Sequence, residues 1–311
     1  MDPAAAAEDG AGYVVLSPGE VRETRPDVIL THGPTPMPEF GSACRIRFGP
    51  EVEGPVAMVR DWFAARGRER FVWFVGPSTT PADLGHRLLD LGAEPNPGGT
   101  DYMAMVLDHE PPPSPADIEL RRVDTLADYA AMWEVMFEGF DMPHEERDAI
   151  RATLRERWAA TADDRGRWSY LACVGDVPVA EGSVRRTVHG PLWLAGGVTL
   201  PAFRGRGIYR ALVRARWDDA VRLGAGALVG IANFGTSYPI LERLGFRAAG
   251  RVRLLADRSA TLAPPPSGVV AAPGLRRCQN AGFTDVTLCC RGVRRLGGVE
   301  LLVSCRKPAA S

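Results

Sequence analysis

Apolar residues recur every three or four positions along 205–223, where Ile208, Ala211, Leu212 and Ala215 share one stripe, and this spacing predicts an amphipathic helix. The same period predicts helices over 126–137, 144–160 and 237–244, the last stopped by Gly245. Between them lie apolar or alternating runs that read as strands, at 169–174, 177–188, 192–200, 227–232 and 251–256. Gly175-Asp176 and His189-Gly190-Pro191 supply the turns that separate three of them. Upstream the order is helix 53–65, strand 71–75, helix 81–91 with a Gly92 stop, and strand 101–107. The run Leu88-Leu89-Asp90-Leu91-Gly92 lies over Leu241-Glu242-Arg243-Leu244-Gly245 at one constant offset, which reads as an internal duplication. This pattern is α/β in class: helices, an antiparallel meander, then a strand–helix–strand crossover.

Two proline runs, Pro111-Pro112-Pro113 and Pro264-Pro265-Pro266, interrupt both periodicities and read as stiff connectors. They divide the 311 residues into a disordered terminus at 1–12, a first domain at 13–110, a linker at 111–117, a second domain at 118–263 and a connector with appendage at 264–311. The start is Ala-rich and acidic, without the basic-then-apolar order of a secretion signal, and no apolar run reaches ~18 residues, so the expected location is cytoplasmic, with no membrane partner. Basic and acidic side chains nearly cancel, 37 against 38, so there is no basic surplus for wrapping nucleic acid. Six cysteines form no CxxC pair, and the expectation is reduced thiols and no metal. Lys307 is the only lysine, which removes Schiff-base chemistry from the rest of the chain.

The chemistry concentrates in Val198-Thr199-Leu200-Pro201-Ala202-Phe203-Arg204-Gly205-Arg206-Gly207-Ile208-Tyr209. An apolar strand ends, and a glycine-rich turn opens directly into the amphipathic helix. Glycines let the backbone approach a ligand and leave the first helical N–H groups unobstructed, which together with the helix dipole makes an anion site suited to a phosphate or diphosphate. The turn has neither the GK[ST] ending of a P-loop nor the third glycine of a dinucleotide fingerprint.

Arg204-Gly205-Arg206-Gly207-Ile208 after Val198-Thr199 resembles motif A of the GNAT superfamily of acyl-CoA N-acyltransferases, whose pattern is Gln/Arg-x-x-Gly-x-Gly/Ala. Tyr209 stands where the pattern has Gly or Ala. Downstream, Tyr238-Pro239-Ile240-Leu241-Glu242-Arg243-Leu244-Gly245-Phe246 resembles motif B, which ends in Leu-Gly-Phe. The likeness spans 118–256, and the first half looks like a decayed partial copy. It implies a mixed central sheet of GNAT type with a partial N-terminal repeat, and acetyl-CoA or another acyl-CoA as cosubstrate. It also implies that backbone groups of Val198, Thr199, Leu200, Arg204, Gly205, Arg206, Gly207, Ile208 and Tyr209, with Asn233, hold that cosubstrate. Gly196-Gly197 suits the bulge expected before the turn, and the Val198 N–H would face the thioester carbonyl. Arg206, Arg210 and Arg214 recur every four residues, either toward an outer phosphate or as a solvated face.

The implied reaction is acyl transfer to the amine of a small molecule by direct attack in a ternary complex. An amine with pKa ~10.4 is only ~10⁻³ neutral at pH 7, so a general base is required. Glu181, within Val179-Ala180-Glu181-Gly182-Ser183, is the candidate; a pairing with Arg185 on the same strand face is the alternative. Motif B helices commonly carry a tyrosine four residues before the glycine to protonate the departing thiolate. That position is Leu241 here, and the nearest hydroxyls are Ser237 and Tyr238. The stretch 137–146 mixes aromatic and acidic residues where the family closes over the acceptor. Two other functions fit the same fold, an acyl-CoA decarboxylase and a noncatalytic acyl-CoA-binding module. Residues 269–311 are similar to the closing helix and hairpin of class I SAM-dependent methyltransferases, but no glycine-rich SAM loop precedes them, so they read as an appended hairpin.

Overall fold

The computed structural model describes residues 2–33, 41–115, 118–161, 163–260, 289–291 and 302–304. Met1–Thr261 forms one unit and Leu262–Ser311 a second. The chain opens with two short helices, α1 (Pro3–Glu8) and α2 (Gly10–Tyr13), and three four-residue strands, β1 (Val21–Thr24), β2 (Ile29–His32) and β3 (Gly41–Cys44). There follow α3 (Glu53–Ala64), β4 (Arg70–Val75), α4 (Leu84–Asp90), β5 (Glu94–Pro95) and β6 (Asp101–Leu107). After the proline run come β7 (Glu119–Arg122), α5 (Leu126–Gly139), α6 (His144–Ala152), α7 (Leu154–Thr161), β8 (Arg167–Val174), β9 (Val177–Arg186) and β10 (Leu192–Thr199). The long unit closes with α8 (Ile208–Arg222), β11 (Leu228–Asn233), α9 (Tyr238–Arg243) and β12 (Arg247–Arg258). In the second unit β13 (Cys289–Arg291) pairs antiparallel with β14 (Leu302–Ser304); the closing helix and the rest of the hairpin expected there lie outside the described residues.

One sheet runs through the long unit in the order β1-β2-β3-β4-β12-β6-β11-β10-β9-β8-β7, with β5 beside β12. That order is close to a palindrome. The parallel pair β3–β4 on one side answers β10–β11 on the other, and the last strand of each half crosses over. Thus β6 pairs with β11 while β12 pairs with β4, and the two exchanged strands meet in the middle. The halves therefore share one sheet.

Alternation along the central strands decides the layers. Met105 and Leu107 of β6 pack with Leu228 and Ala232 of β11 beneath α8 and α9, while Ala104, Val106 and Val229 face the opposite side. Phe71 and Trp73 of β4 pack under α3 and α4. On the opposite face Leu171 and Cys173 of β8 and Val198 of β10 meet α5 and α6 through Met132, Phe137 and Ile150. Thr125 caps α5, accepting the Asp128 N–H at 3.1 Å. The helical run expected over 144–160 breaks at Thr153, whose hydroxyl returns to the Ala149 and Ile150 carbonyls.

The expectation of a disordered terminus at 1–12 is corrected. Ala6 and Ala7 are fully buried against the middle of the sheet, so the small apolar side chains of α1 serve close packing. The following carboxylates reach the first half's own gap between β3 and β4. Glu8 accepts the N–H and hydroxyl of Ser78 at 2.8 and 2.7 Å, and Asp9 accepts the Arg45 N–H at 2.8 Å. Burial pushes the Asp9 pKa up to about 6, against the pull of that N–H and of Arg47 and Arg45.

Candidate active site

Strand β10 starts as an ordinary partner of β11, paired at Leu192↔Leu228 and Trp193↔Val229, and the pairing stops there. On its other side β10 stays with β9 but shifts register between Ala195 and Val198. Gly196 (φ +78°) and Gly197 (φ +140°) take up the bulge in conformations that L side chains rarely adopt. Beyond the bulge β10 has a free edge facing β11, and a wedge opens between them.

The extra residue changes which backbone groups face that wedge. The Leu200 N–H donates to the Val179 carbonyl on β9 at 2.9 Å, and Val198, two residues earlier and paired with Glu181, directs its N–H the same way. The Val198 N–H is therefore turned from the wedge, which corrects the expected thioester donor. Thr199 presents its N–H and carbonyl to the open edge, and Arg204 Nε donates to that carbonyl at 3.0 Å. Leu200 keeps its side chain in the α5 cluster.

After a 3₁₀ turn at Pro201–Phe203, Gly205 (φ +79°) and Gly207 (φ +77°) bend the chain into α8, with Gly207 as the residue before its first turn. Ala211 N is the first to bond back, to the Gly207 carbonyl at 3.2 Å. Among the described residues, the amides of Gly205, Gly207, Ile208, Tyr209 and Arg210 have no hydrogen-bond partner. Five N–H groups thus stand free at the positive end of a 15-residue helix. Pro115 from the linker flanks the turn, lying 2.8 Å from where a Cβ on Gly207 would be.

The arginine stripe divides. Arg210 Nε is buried without a partner, and its guanidinium lies 3.1 Å from the same Gly207 Cβ position. Arg206 lies over the Phe203 ring at 5.7 Å. Arg214 is held by Glu110 and Asp218 at 2.6 and 2.9 Å, so its charge is spent within the protein.

Glu181 projects from β9 beside the bulge and is 1% exposed. Its Oε2 accepts from Ser183 at a long 3.4 Å, and Oε1 has no hydrogen-bond partner. Oε1 is also the nearest atom to a Cβ placed on Gly196, at 3.4 Å. Burial pushes the Glu181 pKa up to about 7, opposed by Arg216, Arg167 and the Ser183 hydroxyl. The Gly197 amide also favours the anion but does not reach hydrogen-bond geometry with Oε1. The alternative pairing with Arg185 is not made, because Arg185 bonds Glu20 at 2.6 Å. The end of α5 covers this region, with Gly139 close against Val198: a Cβ there would lie 2.5 Å from Val198 Cγ2.

The remaining expected residues lie beyond β11. Asn233 Oδ1 accepts the Gly235 N–H at 2.8 Å, and Asn233 N donates to Ser237 Oγ at 2.9 Å, so both brace the β11–α9 turn. Tyr238 directs its hydroxyl to Glu242 at 3.2 Å on an exposed face, and Leu241 is buried core. Two residues at the site were not singled out from sequence for what their side chains do. Arg216 is fully buried beneath Gly182, and its guanidinium carbon is 5.5 Å from the centroid of the Tyr209 ring. Tyr209 in turn lies against the bulge, Cε2 2.8 Å and Oη 3.3 Å from a Cβ placed on Gly197. Among the described residues, no group of three or more His, Cys, Asp and Glu side chains converges as a metal site would require.

No family profile and no curated protein matches the chain. Solved structures do. A GCN5-related N-acetyltransferase from Kribbella flavida superposes with a TM-score of 0.61 at 17% identity, covering 84% of this chain and 97% of its own. The fold is of the GNAT type. A tandem GNAT protein from the clavulanic acid biosynthesis pathway, solved without AcCoA, gives 0.53 at 16% identity, over 80% of this chain and 86% of that one. A functionally unknown conserved protein from Staphylococcus epidermidis gives 0.57 at 11% identity, over 79% and 96%. In the GNAT-type fold of this chain, the turn that resembles motif A stands at the head of α8, and the helix that resembles motif B is α9.

Proposed function

We propose that the protein is an acyl-CoA-dependent N-acyltransferase that moves an acetyl group to the amine of a small molecule by direct attack in a ternary complex. The observation that carries this reading is the set of unpartnered amides at the head of α8, next to a strand edge that a bulge has released from its neighbour. A diphosphate satisfies those amides, and an extended pantetheine arm satisfies the β10 edge through Thr199 as an added strand. The thioester then lies at the Gly196–Gly197 bulge, beside Oε1 of Glu181.

Glu181 acts as the base. A carboxyl that titrates near 7 is half ionised at neutral pH and still basic enough to take a proton from the nitrogen of an amine that has released its first proton to solvent and attacks in its neutral form. The amine nitrogen bonds to the thioester carbon as that proton passes to Glu181. The C–S bond then breaks, leaving an amide and the thiol of CoA.

The test is release of CoA thiol from acetyl-CoA across a panel of primary amines. The reading expects release that depends on the amine and is lost in Glu181→Gln. Thiol release from malonyl-CoA without any amine would indicate decarboxylase chemistry instead. Acetyl-CoA binding with no release across the panel would indicate a binding module.

A further inference from the structure

The site has a base on one side of the bulge, and the adjacent residue marks the other side. A side chain on Gly196 would meet Glu181, whereas one on Gly197 would meet Tyr209. Glu181 of β9 and Tyr209 of α8 thus flank the bulge at its two glycines. We propose that Tyr209 is the proton donor to the departing thiolate, the role for which motif B offers only Leu241. This rests on the reading of the turn and bulge as an acyl-CoA site.

Three observations converge on Tyr209. Its hydroxyl has no hydrogen-bond partner among the described residues and lies 3.3 Å from the Gly197 Cβ position, where the thioester is expected. Of the other hydroxyls near the wedge, Tyr238 donates to Glu242, Ser237 accepts the Asn233 N–H beyond β11, and Thr199 Oγ1 is buried without a partner. The third is Arg216, a fully buried guanidinium with no carboxylate within ion-pair distance among the described residues. Nε and Nη1 donate to the Leu212 and Ser183 carbonyls at 2.9 and 3.1 Å, and Nη2 has no partner. The Arg216 charge also favours the anion of Glu181. Its guanidinium carbon lies 5.5 Å from the centroid of the Tyr209 ring, which fixes that ring against the helix-side face of the bulge.

The step balances. As the tetrahedral adduct collapses, the C–S bond breaks and sulfur keeps the electron pair. The Oη proton of Tyr209 moves to sulfur, giving the free thiol, and the phenolate recovers a proton from water. The amine proton has already gone to Glu181, so one proton enters the protein from the acceptor and one leaves with CoA.

The experiment titrates the thiol of CoA itself bound to the protein, following the ultraviolet absorbance of the thiolate against the CoA-free protein. No acceptor is needed. A hydroxyl that donates to sulfur favours the thiolate, so Tyr209→Phe is expected to raise the titration midpoint of bound CoA by about one pH unit with CoA affinity unchanged within about threefold. Identical midpoints in the two proteins, both binding CoA, overturn the role of Tyr209 and leave the cosubstrate site standing. Failure of the wild-type protein to bind CoA overturns the reading of the turn. With an amine that the wild type turns over, the same variant is expected to lose about 10²-fold in kcat at little change in the KM for acetyl-CoA. An unchanged kcat contradicts the proposal.

Discussion

Glu181 couples the site to stability. Its carboxyl titrates near 7 in the folded chain against 4.5 when solvated, so the native state holds the proton more tightly than the unfolded state does. Stability from this group is full below 4.5 and falls as pH rises through about 7, by ~3 kcal/mol above both values. Glu181→Gln is therefore expected to abolish transfer while raising Tm at pH 8 and leaving it nearly unchanged at pH 4, in thermal melts at the two pH values. The wild-type kcat/KM is expected to rise with pH through about 7, and a profile flat from pH 5 to 8 contradicts Glu181 as the base. Glu181 was legible in the sequence because a carboxylate inside an apolar, small-residue run has to be paired or functional. The backbone donor was not. The resemblance to motif A points to Val198, but the pairing of β10 with β9 after the bulge turns Thr199 to the open edge. Tyr209 was visible as a departure from the motif, but its contact with Gly197 depends on helix-to-strand packing that no local pattern encodes.

At the scale of elements, the helices and longer strands followed their periodicity because each buries one regular face. The four-residue strands β1, β2 and β3 are too short for alternation to register, and β7 likewise. The helices α1 and α2 were missed because an alanine-rich run reads as terminus until a surface exists to bury it. A Cβ on Gly10 would overlap the Trp193 ring, so Gly10→Val is expected to destabilise the fold by ~1–3 kcal/mol in denaturant titration. A stability unchanged within error would mean that the helices are not seated on the sheet. The exchange of β6 and β12 has its own lock. Asp257 of β12 receives Arg60 of α3 through two bonds of 3.0 Å and the Trp73 indole of β4 at 2.9 Å. Asp257→Ala leaves both donors without their acceptor and is expected to cost ~2–4 kcal/mol, read as a lower denaturation midpoint with unchanged slope.

At the scale of the whole long unit, the two arms of the sheet mirror one another in strand order, with one parallel pair on each side. The motifs disclosed the fold, but only the pairing of strands discloses which gap is filled. In the first half Glu8 and Asp9 take the amides of Ser78 and Arg45, the segment before α3 has no left-handed glycine and carries Glu51, and Glu53 opens the helix itself. Acidic groups there repel a diphosphate, so acyl-CoA is expected to bind with a stoichiometry of one per chain. The second half carries Gly205 and Gly207 with free amides at the same place in its own layout. Gly207→Val puts a branched side chain at φ +77° and drives its Cβ against Pro115, which distorts the turn without touching Glu181. The most direct measurement is isothermal calorimetry of acetyl-CoA with the wild-type protein and with Gly207→Val. One site per chain, weakened at least about tenfold in the variant, is the result predicted here, corresponding to about 1.4 kcal/mol. Binding of equal strength in both proteins would contradict it.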